Sequence, residues 1–225
     1  MSREPVIDTM TGPSRVVHHI IRVLVALLAR ILLRVEFRNR ERLPIAGPYI
    51  IAPVHRSNLD AFVAVSAVLS RVIVRTVAKD SLWRSERFGW FLEKMGSVPV
   101  DRDHPDRAAL RRCEEALAHG EPLLMFPEGR RKDGTVVEDL LEGPAWLALR
   151  RKVPIVPVGI SGTDRAMPKG AKFIRPTKVV VEIGEPIIPV LPDSGRVRQS
   201  AVAELTEELR LELQRQYDLA RGVTR

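Results

Sequence analysis

The sequence predicts an α/β fold: a single domain with a mixed, mostly parallel sheet flanked by helices, plus an N-terminal amphipathic membrane-interface helix. Short apolar runs, such as the β-branched run at residues 49–52 and the run at 122–126, alternate with segments whose apolar residues recur at helical spacing. The 225 residues are enough for one sizeable core, and no internal repeat or low-complexity linker divides them. These observations predict one domain with an N-terminal appendage.

The appendage is a basic and apolar segment at residues 14–36. Its longest uncharged apolar run, residues 23–29, is far shorter than the roughly 20 residues that a membrane span needs. On a helical wheel its basic side chains gather within about half of the circumference, and its Leu, Ile and Val side chains fall largely elsewhere. The basic residues are Arg15, His18, His19, Arg22, Arg30 and Arg34. This pattern predicts a helix in a membrane interface, with cations at lipid phosphates and aliphatic side chains in the acyl layer. The alternative is a helix docked on the body of the protein.

The net charge of +8 and the pI near 10.2 indicate a polyanionic partner, a class that includes anionic lipid, an acyl carrier and nucleic acid. Nucleic acid fits poorly, because the chain has only three Trp, two Tyr and six Phe, few of them among basic residues. A single cysteine, Cys113, excludes an internal disulfide and suits a reducing compartment. No His, Cys or carboxylate set has metal-ligand spacing, so no metal site is expected. We therefore predict a protein bound to an anionic membrane surface, monotopic or peripheral, on the cytoplasmic face.

The central motif is a histidine and an aspartate, His55 and Asp60, directly after the first buried strand. Two residues five apart on one helix lie about 140° apart, so they cannot meet if both are helical. They can meet if His55 precedes the helix and Asp60 lies in its first turn, where a carboxylate also suits the helix dipole. Asp60 would then fix the imidazole tautomer, and the other ring nitrogen of His55 would take a proton from a hydroxyl. Ser57 could be acylated instead, but its place at a helix start favours a capping role.

Charged residues also follow two later strands, and ligands bind at the carboxyl ends of strands in an open α/β sheet. Lys79 follows a predicted strand at residues 71–78 and is a candidate anion contact, with a solvated loop lysine as the alternative. Arg102 follows a short strand, and its guanidinium suits bidentate contact with a phosphate. Asp103 is the predicted cap of the helix that comes next.

A third charged strand end is the segment Glu128-Gly129-Arg130-Arg131, after the strand at 122–126. Gly129 allows a positive φ or a close approach of backbone to a ligand. Glu128 offers an acceptor, and Arg130 and Arg131 offer two cations. On charge alone this segment resembles a surface turn, but its place at a strand end predicts that it faces the same cleft as His55.

The remaining segments are mostly scaffold. Gly143 and Pro144 open a helix, and the strand at 153–160 contains two prolines, which remove ladder donors and predict an edge or bulged strand. A strand of clear alternation follows at 177–183. A long charged helix at 197–220 carries an apolar stripe that we expect to pack on the sheet. The stripe consists of Val202, Leu205, Leu209, Leu213 and Tyr217.

Four segments together resemble the glycerophospholipid acyltransferase family, the group that includes lysophosphatidic acid and glycerol-3-phosphate acyltransferases. They are, in the family's order, HRSNLD at 55–60, residues 96–102, FPEGRR at 126–131 and VPIVPV at 153–158. The resemblance implies a membrane-associated α/β enzyme whose acyltransferase domain covers residues 37–220. The tails at 1–13 and 221–225 and the helix at 14–36 would lie outside that domain.

The same resemblance implies roles for individual residues. His55 and Asp60 match the charge-relay-like pair of the family. Other matched residues lie on the acceptor side: Arg102 and Arg131 match positions near the acceptor phosphate, and Glu128 and Gly129 match the block associated with acceptor binding. Lys79 matches a basic residue often found after the second strand.

The implied activity is transfer of a fatty acyl group from acyl-CoA or acyl carrier protein to a hydroxyl of a lysophospholipid. The foremost acceptor is 1-acylglycerol-3-phosphate, giving phosphatidic acid, and no cofactor beyond the acyl co-substrate is expected. His55 would take the proton from the acceptor hydroxyl as that hydroxyl attacks the thioester. The alternatives are another lysolipid or glycolipid acceptor, a lipid or thioester hydrolase, and a non-catalytic protein that binds anionic lipid.

Overall fold

The computed structural model describes residues 12–44, 46–68, 73–101, 106–171, 173–190 and 197–223, with backbone alone at 12–15. The described residues form seven strands: β1 Glu36–Arg38, β2 Ile50–Pro53, β3 Arg75–Lys79, β4 Ser97–Val100, β5 Leu123–Leu124, β6 Ile155–Ser161 and β7 Val180–Ile183. They also form seven α-helices: α1 Gly12–Leu33, α2 Leu59–Ala67, α3 Glu86–Lys94, α4 Arg107–Ala118, α5 Gly143–Arg151, α6 Thr163–Ala166 and α7 Gln199–Arg221. Short 3₁₀ helices lie at Arg40–Arg42 and Asp80–Arg84.

The strands form one sheet in the order β1-β7-β6-β2-β5-β3-β4. All neighbouring pairs run parallel except β6 and β7, which are antiparallel. A mixed, mostly parallel sheet with flanking helices confirms the predicted fold class. β2 lies in the middle, between β5 and β6, so the loop that follows it emerges at the shared carboxyl edge of the parallel strands.

Side chains alternate along β2 and divide the core into two halves, because successive strand residues point to opposite faces. Ile50 and Ala52 are buried against α4, α5 and the first half of α7. Tyr49 and Ile51 are buried on the other face, with residues of α1, α2 and the end of α7. The strand that leads to His55 is therefore packed between two helical layers.

The strand with two prolines corrects one prediction, because β6 lies between β2 and β7 and not at an edge. The strand begins at Ile155, which leaves Pro154 outside it. Pro157 is opposite Gly184, just past the end of β7, and its carbonyl accepts from the Gly184 N–H at 2.9 Å. The missing proline N–H therefore costs the β6–β7 ladder one bond at its end, which an interior strand can tolerate.

Helix α1 docks on the body of the protein through a mixed face and leaves a second, aliphatic face exposed. The docked face includes the polar residues His18 and Arg22 and the apolar residues Ala29 and Leu33. His18 and Arg22 are buried. His18 Nδ1 lies 2.8 Å from Lys94 O, and Arg22 Nη2 donates to Val68 O at 2.7 Å. The aliphatic side chains that are more than half exposed are Val16, Ile20, Val23, Leu24, Leu27, Leu28 and Ile31.

This arrangement corrects two predictions about α1. His18 and Arg22, expected at lipid phosphates, contact the protein instead. The side chain of Arg15 lies outside the described residues, and the exposed basic residues are His19, Arg30 and Arg34. Among the described helices, the window Val16–Leu33 is long and apolar enough to cross a membrane by length and composition alone. The prediction that this segment is too short to cross a membrane considered only its longest uncharged run, whereas an 18-residue window that includes charged residues is apolar enough on average.

The predicted starts of α5 and α7 lie within two residues of the observed starts, Gly143 and Gln199, but the predicted cap of α4 does not match. Asp106, not Asp103, caps this helix, and its carboxylate accepts the Ala109 N–H at 2.7 Å and the Asp101 N–H at 3.0 Å. Asp103 and Arg102 lie outside the described residues. The predicted apolar stripe of α7 is buried along its whole length, which confirms that this helix packs on the sheet.

Candidate active site

His55 and Asp60 occupy the positions that allow contact. β2 ends at Pro53, His55 precedes the helix, and Asp60 lies in the first turn of α2. His55 Nδ1 is 3.2 Å from Asp60 Oδ2, and the imidazole stacks on Phe126 with ring centroids 3.9 Å apart. Because Nδ1 faces a carboxylate, Nε2 is the nitrogen left to exchange a proton with a ligand.

The Asp60 carboxylate is completely buried and has a donor on every side. Oδ2 accepts the backbone N–H groups of Arg56 and Ser57, both at 2.6 Å, and also faces His55. Oδ1 accepts the hydroxyl of Thr163 at 2.5 Å. Buried carboxylate oxygens require such partners, and here the partners also fix the carboxylate in position beside the imidazole.

Ser57 is buried, and its hydroxyl is hydrogen-bonded to the backbone. The hydroxyl donates to Met167 O at 2.9 Å and accepts the Leu59 N–H at 3.4 Å. The N-cap residue of α2 is Asn58, whose side chain makes no capping hydrogen bond. These contacts favour a structural role for Ser57 over the acyl-enzyme alternative.

Thr163 was missed in the sequence, although it holds Asp60 directly. It opens α6, two residues after β6 ends at Ser161, and is completely buried. Gly162 before it has φ +95°, and a Cβ there would lie 2.4 Å from Lys178 O, so only glycine permits the turn that brings Thr163 to Asp60. The available signal was its place at the carboxyl end of a strand.

We expect Thr163→Val, which keeps the side-chain shape and removes the hydroxyl, to lower kcat by about 10- to 100-fold. Asp60 Oδ1 would lose a charge-assisted hydrogen bond worth roughly 1.5–3 kcal/mol. KM should change little, because Thr163 is not in the cavity lining. Thr163→Ser keeps the hydroxyl and should retain most of the parent kcat. Steady-state kinetics of the two variants test this prediction, and equal losses in both would assign the effect to packing.

Glu128 faces the interior, and its predicted contact with a substrate stays a prediction. Its side chain is 0% exposed. Oε1 accepts the His55 backbone N–H at 2.8 Å, and Arg56 Nη1 lies 2.7 Å from each carboxylate oxygen. With these partners inside the protein, Glu128 acts as a positioning residue that anchors the backbone of His55.

Arg56 follows His55 directly and precedes helix α2. Its structural role was also not predicted from the sequence. It donates to Gly134 O and Val136 O, both at 3.2 Å, and its guanidinium carbon lies 4.9 Å from the centroid of the Tyr217 ring. The partners are 72 or more positions further along the chain. The sequence shows the arginine, but only the tertiary structure shows that it points inward.

The turn after Phe126 holds the backbone of His55 a second time, because the Lys132 N–H donates to His55 O at 2.9 Å. Gly129 has φ +68°, and its N–H donates to Phe126 O at 3.0 Å. Its positive φ shapes this turn. Gly129 is not in the cavity lining, and its predicted contact with a substrate stays a prediction.

His55 lines a cavity of about 620 Å³ that also carries cations. The predicted residues Lys79, Arg130 and Arg131 all line it, and so does Lys169, which was not predicted. Arg102 lies outside the described residues. Clustered cations in a cleft favour an anionic group of the ligand, so this part of the cavity suits a phosphate.

The rest of the lining is largely apolar and comes from α2, β3, α3 and the 3₁₀ helix between the last two. It includes Leu59, Phe62, Val65, Leu82, Phe88 and Met95. Ligand cavities of this size are typically apolar with a few polar groups that set orientation. A proton-transfer group, cations and an apolar wall thus meet in one cavity.

Comparisons with known proteins agree with this geometry. A family model described as Acyltransferase matches residues 34–161. A 1-acyl-sn-glycerol-3-phosphate acyltransferase of Bacillus subtilis is 29% identical over 153 residues, which cover 68% of this chain and 73% of that protein. A chloroplastic 1-acyl-sn-glycerol-3-phosphate acyltransferase of Brassica napus is 29% identical over 63% of this chain, and the match covers 41% of its own length.

The fold also occurs among solved structures. An example is the crystal structure of the 1-acyl-sn-glycerophosphate (LPA) acyltransferase PlsC from Thermotoga maritima, with a TM-score of 0.72 and 23% identity. The superposition covers 95% of this chain and 85% of that one. The likeness extends well beyond the segment matched by the family model, and so includes α1 and α7.

Proposed function

Because this chain belongs to the acyltransferase family, we propose that it transfers a fatty acyl group from an acyl thioester to the free hydroxyl of 1-acylglycerol-3-phosphate, giving phosphatidic acid. The observation that carries the proposal is the meeting of three features in one cavity. The imidazole of His55, held by Asp60, lies with the cations Lys79, Arg130 and Arg131 and with an apolar wall. Several relatives carry the name of this activity, including the Bacillus subtilis protein.

The chemical step follows from the orientation of the imidazole. Nε2 of His55 takes the proton of the acceptor hydroxyl while the hydroxyl oxygen attacks the thioester carbonyl. The tetrahedral intermediate collapses with cleavage of the C–S bond, and the thiolate leaves. A free thiol has a pKa near 8.5, so this departure needs little acid assistance, and the imidazolium returns its proton to the sulfur. Asp60 holds the tautomer and the orientation throughout.

The cavity divides the substrates by chemistry. The cationic part contacts the phosphate of the acceptor, and the apolar part receives a fatty acyl chain. The acyl donor is the thioester of CoA or of acyl carrier protein, and both present the same reacting group. No further cofactor is needed for this reaction.

Action at a membrane follows from the exposed face of α1. Seven aliphatic side chains of this helix are more than half exposed, a surface that favours an apolar environment. We propose that α1 lies in the interface as a monotopic anchor on the cytoplasmic side, with anionic lipid attracted by the net charge of +8. The acceptor and the product are lipids of the same surface.

A panel of acceptors tests the proposed activity. The purified chain is given radiolabelled acyl-CoA or acyl carrier protein, with lysophosphatidic acid, other lysophospholipids or a glycolipid in vesicles, and products are separated by chromatography. Phosphatidic acid formed only with lysophosphatidic acid supports the proposal. Acylation of another acceptor instead would assign that acceptor as the substrate. Release of free fatty acid without an acceptor would indicate a hydrolase, and lipid binding without turnover would indicate a lipid-binding protein.

Arg131→Ala and Arg130→Ala are expected to raise KM for lysophosphatidic acid by about 10-fold or more each. A lost charge-assisted contact with phosphate is worth roughly 1.5–3 kcal/mol. The measurement is KM at constant acyl donor concentration in vesicles. Arg150→Ala, an exposed arginine of α5 paired with Glu114, is the control for the loss of one positive charge. If all three variants have the parent KM, Arg130 and Arg131 do not bind the acceptor phosphate.

A further inference from the structure

Two large apolar side chains are exposed side by side in the segment at residues 173–178. Phe173 is 83% exposed and Ile174 is 41% exposed. Water is an unfavourable environment for such a pair, with a cost of roughly 25 cal/mol per Å² of apolar surface. Neither side chain belongs to the core or to the cavity lining. An adjacent exposed pair of this kind indicates a binding surface more than a single exposed residue does.

This segment is joined directly to the end of α1. The Thr177 N–H donates to Leu32 O at 3.3 Å, and the Val179 N–H donates to Leu33 O at 2.9 Å. Ile31 directly precedes Leu32 in sequence and is one of the exposed aliphatic residues of α1, with 65% exposure. Two backbone hydrogen bonds therefore hold the chain that follows the exposed pair against the end of α1.

Exposed basic residues follow the pair in sequence and lie at the end of α1. Arg175 follows the pair directly and is exposed, and Arg30 and Arg34 are exposed at the end of α1. Lys178 is also exposed, although it pairs with Glu36 at 2.6 Å. An apolar tip flanked by cations is the composition that binds an anionic bilayer, because the tip enters the acyl layer while the cations remain at phosphates.

We propose that Phe173 and Ile174 insert into the bilayer that α1 contacts, and so form a second membrane contact. The inference rests on the proposed action at a lipid surface. The Arg175 N–H donates to Ala166 O at 2.8 Å in the helix that begins with Thr163, and Met167 beside it lines the cavity. The contact thus fixes the cavity close to the bilayer, where both lipid substrates reside.

A fluorescent label tests the insertion without any measurement of activity. The full chain with Phe173→Cys is labelled with an environment-sensitive maleimide dye and mixed with phosphatidylcholine vesicles with or without phosphatidylglycerol. Cys113 does not compete for the reagent, because it is 1% exposed and burial raises the pKa of its thiol to about 12. We expect a several-fold rise in emission with a blue shift on anionic vesicles, and quenching by lipid-attached quenchers in the acyl layer.

Val190→Cys gives the matched control. Val190 is 84% exposed, nearly the same as Phe173 at 83%. Val190 lies three residues after Ile187, which pairs with Ile155 at the start of β6, whereas Thr163 follows the end of that strand. The dye at Val190 should respond little. Equal responses at the two positions, or no response at Phe173, overturn the second membrane contact. The proposed acyl transfer is tested separately, by the acceptor panel with the parent chain.

The double variant Phe173→Ser with Ile174→Ser provides an unlabelled test. Its affinity for anionic vesicles in flotation assays should fall about 10-fold relative to the parent chain. The control is Ile188→Ser with Val190→Ser, which removes two similarly exposed apolar side chains from the other end of the sheet. Circular dichroism verifies that each variant is folded. Equal affinity of the two double variants contradicts the proposal.

Discussion

His55→Ala is expected to lower acyl transfer by about 10²- to 10⁴-fold, the usual contribution of a positioned general base. The imidazole is the group in the described cavity lining whose free nitrogen can take the hydroxyl proton, and alanine leaves no replacement. Vesicle binding should be unchanged, because α1 lies on a separate surface. Initial rates with radiolabelled acyl-CoA and lysophosphatidic acid measure the loss, and flotation measures the binding.

Two other variants make the result specific. His119→Ala removes an exposed histidine at the end of α4, whose Nδ1 lies 2.7 Å from Glu115 O in its own helix, and should keep the parent rate. Ser57→Ala should keep far more activity than His55→Ala, because the proposed mechanism forms no acyl-enzyme on that hydroxyl. A His55→Ala rate within about tenfold of the parent would remove His55 from the chemical step.

Glu128→Ala is expected to destabilise the protein by about 3–5 kcal/mol, the usual cost of leaving one member of a buried ion pair without its partner. The side chains of Arg56 and Glu128 are 3% and 0% exposed, so water cannot compensate the remaining guanidinium. The His55 N–H would lose its acceptor as well. Thermal and denaturant unfolding of the purified chain, followed by circular dichroism, measure the change in free energy of unfolding.

The control for this variant is an ion pair in water. Glu207→Ala removes the partner of Arg210 on α7, where the carboxylate side chain is 55% exposed, and should have little effect on stability. The double variant Arg56→Met with Glu128→Leu removes both charges and should be less destabilised than Glu128→Ala. The single variants Arg56→Met and Glu128→Leu complete the cycle, and a double variant as unstable as their sum would show that the two residues act independently.

The features that the sequence predicted correctly depend on local pattern. A short β-branched run followed by His55 and a helical pattern is enough to place the histidine before the helix and Asp60 in its first turn. The rule that ligands gather at strand ends likewise brought Lys79, Arg130 and Arg131 to one cavity. Such predictions need no knowledge of which distant segments pack together.

The features that were missed depend on the direction in which a side chain points. Glu128 and Arg131 are three residues apart in the same turn, yet one faces the backbone of His55 and the other the cavity. The burial of His18 and Arg22 in α1 required α2 and α3 as partners, which a helical wheel does not contain. Long-range hydrogen bonds decide these orientations, and the sequence does not show them.

Only Arg34 and Val35 separate α1 from β1, the strand at one end of the sheet. So short a connection is not a flexible linker, so the catalytic domain could not move independently of α1. The whole enzyme would diffuse as one body in the plane of the membrane. Encounters with the acceptor would then depend on two-dimensional diffusion. Turnover should follow the mole fraction of lysolipid in the surface, and dilution with inert lipid should slow the reaction even when the total amounts of enzyme and acceptor are constant.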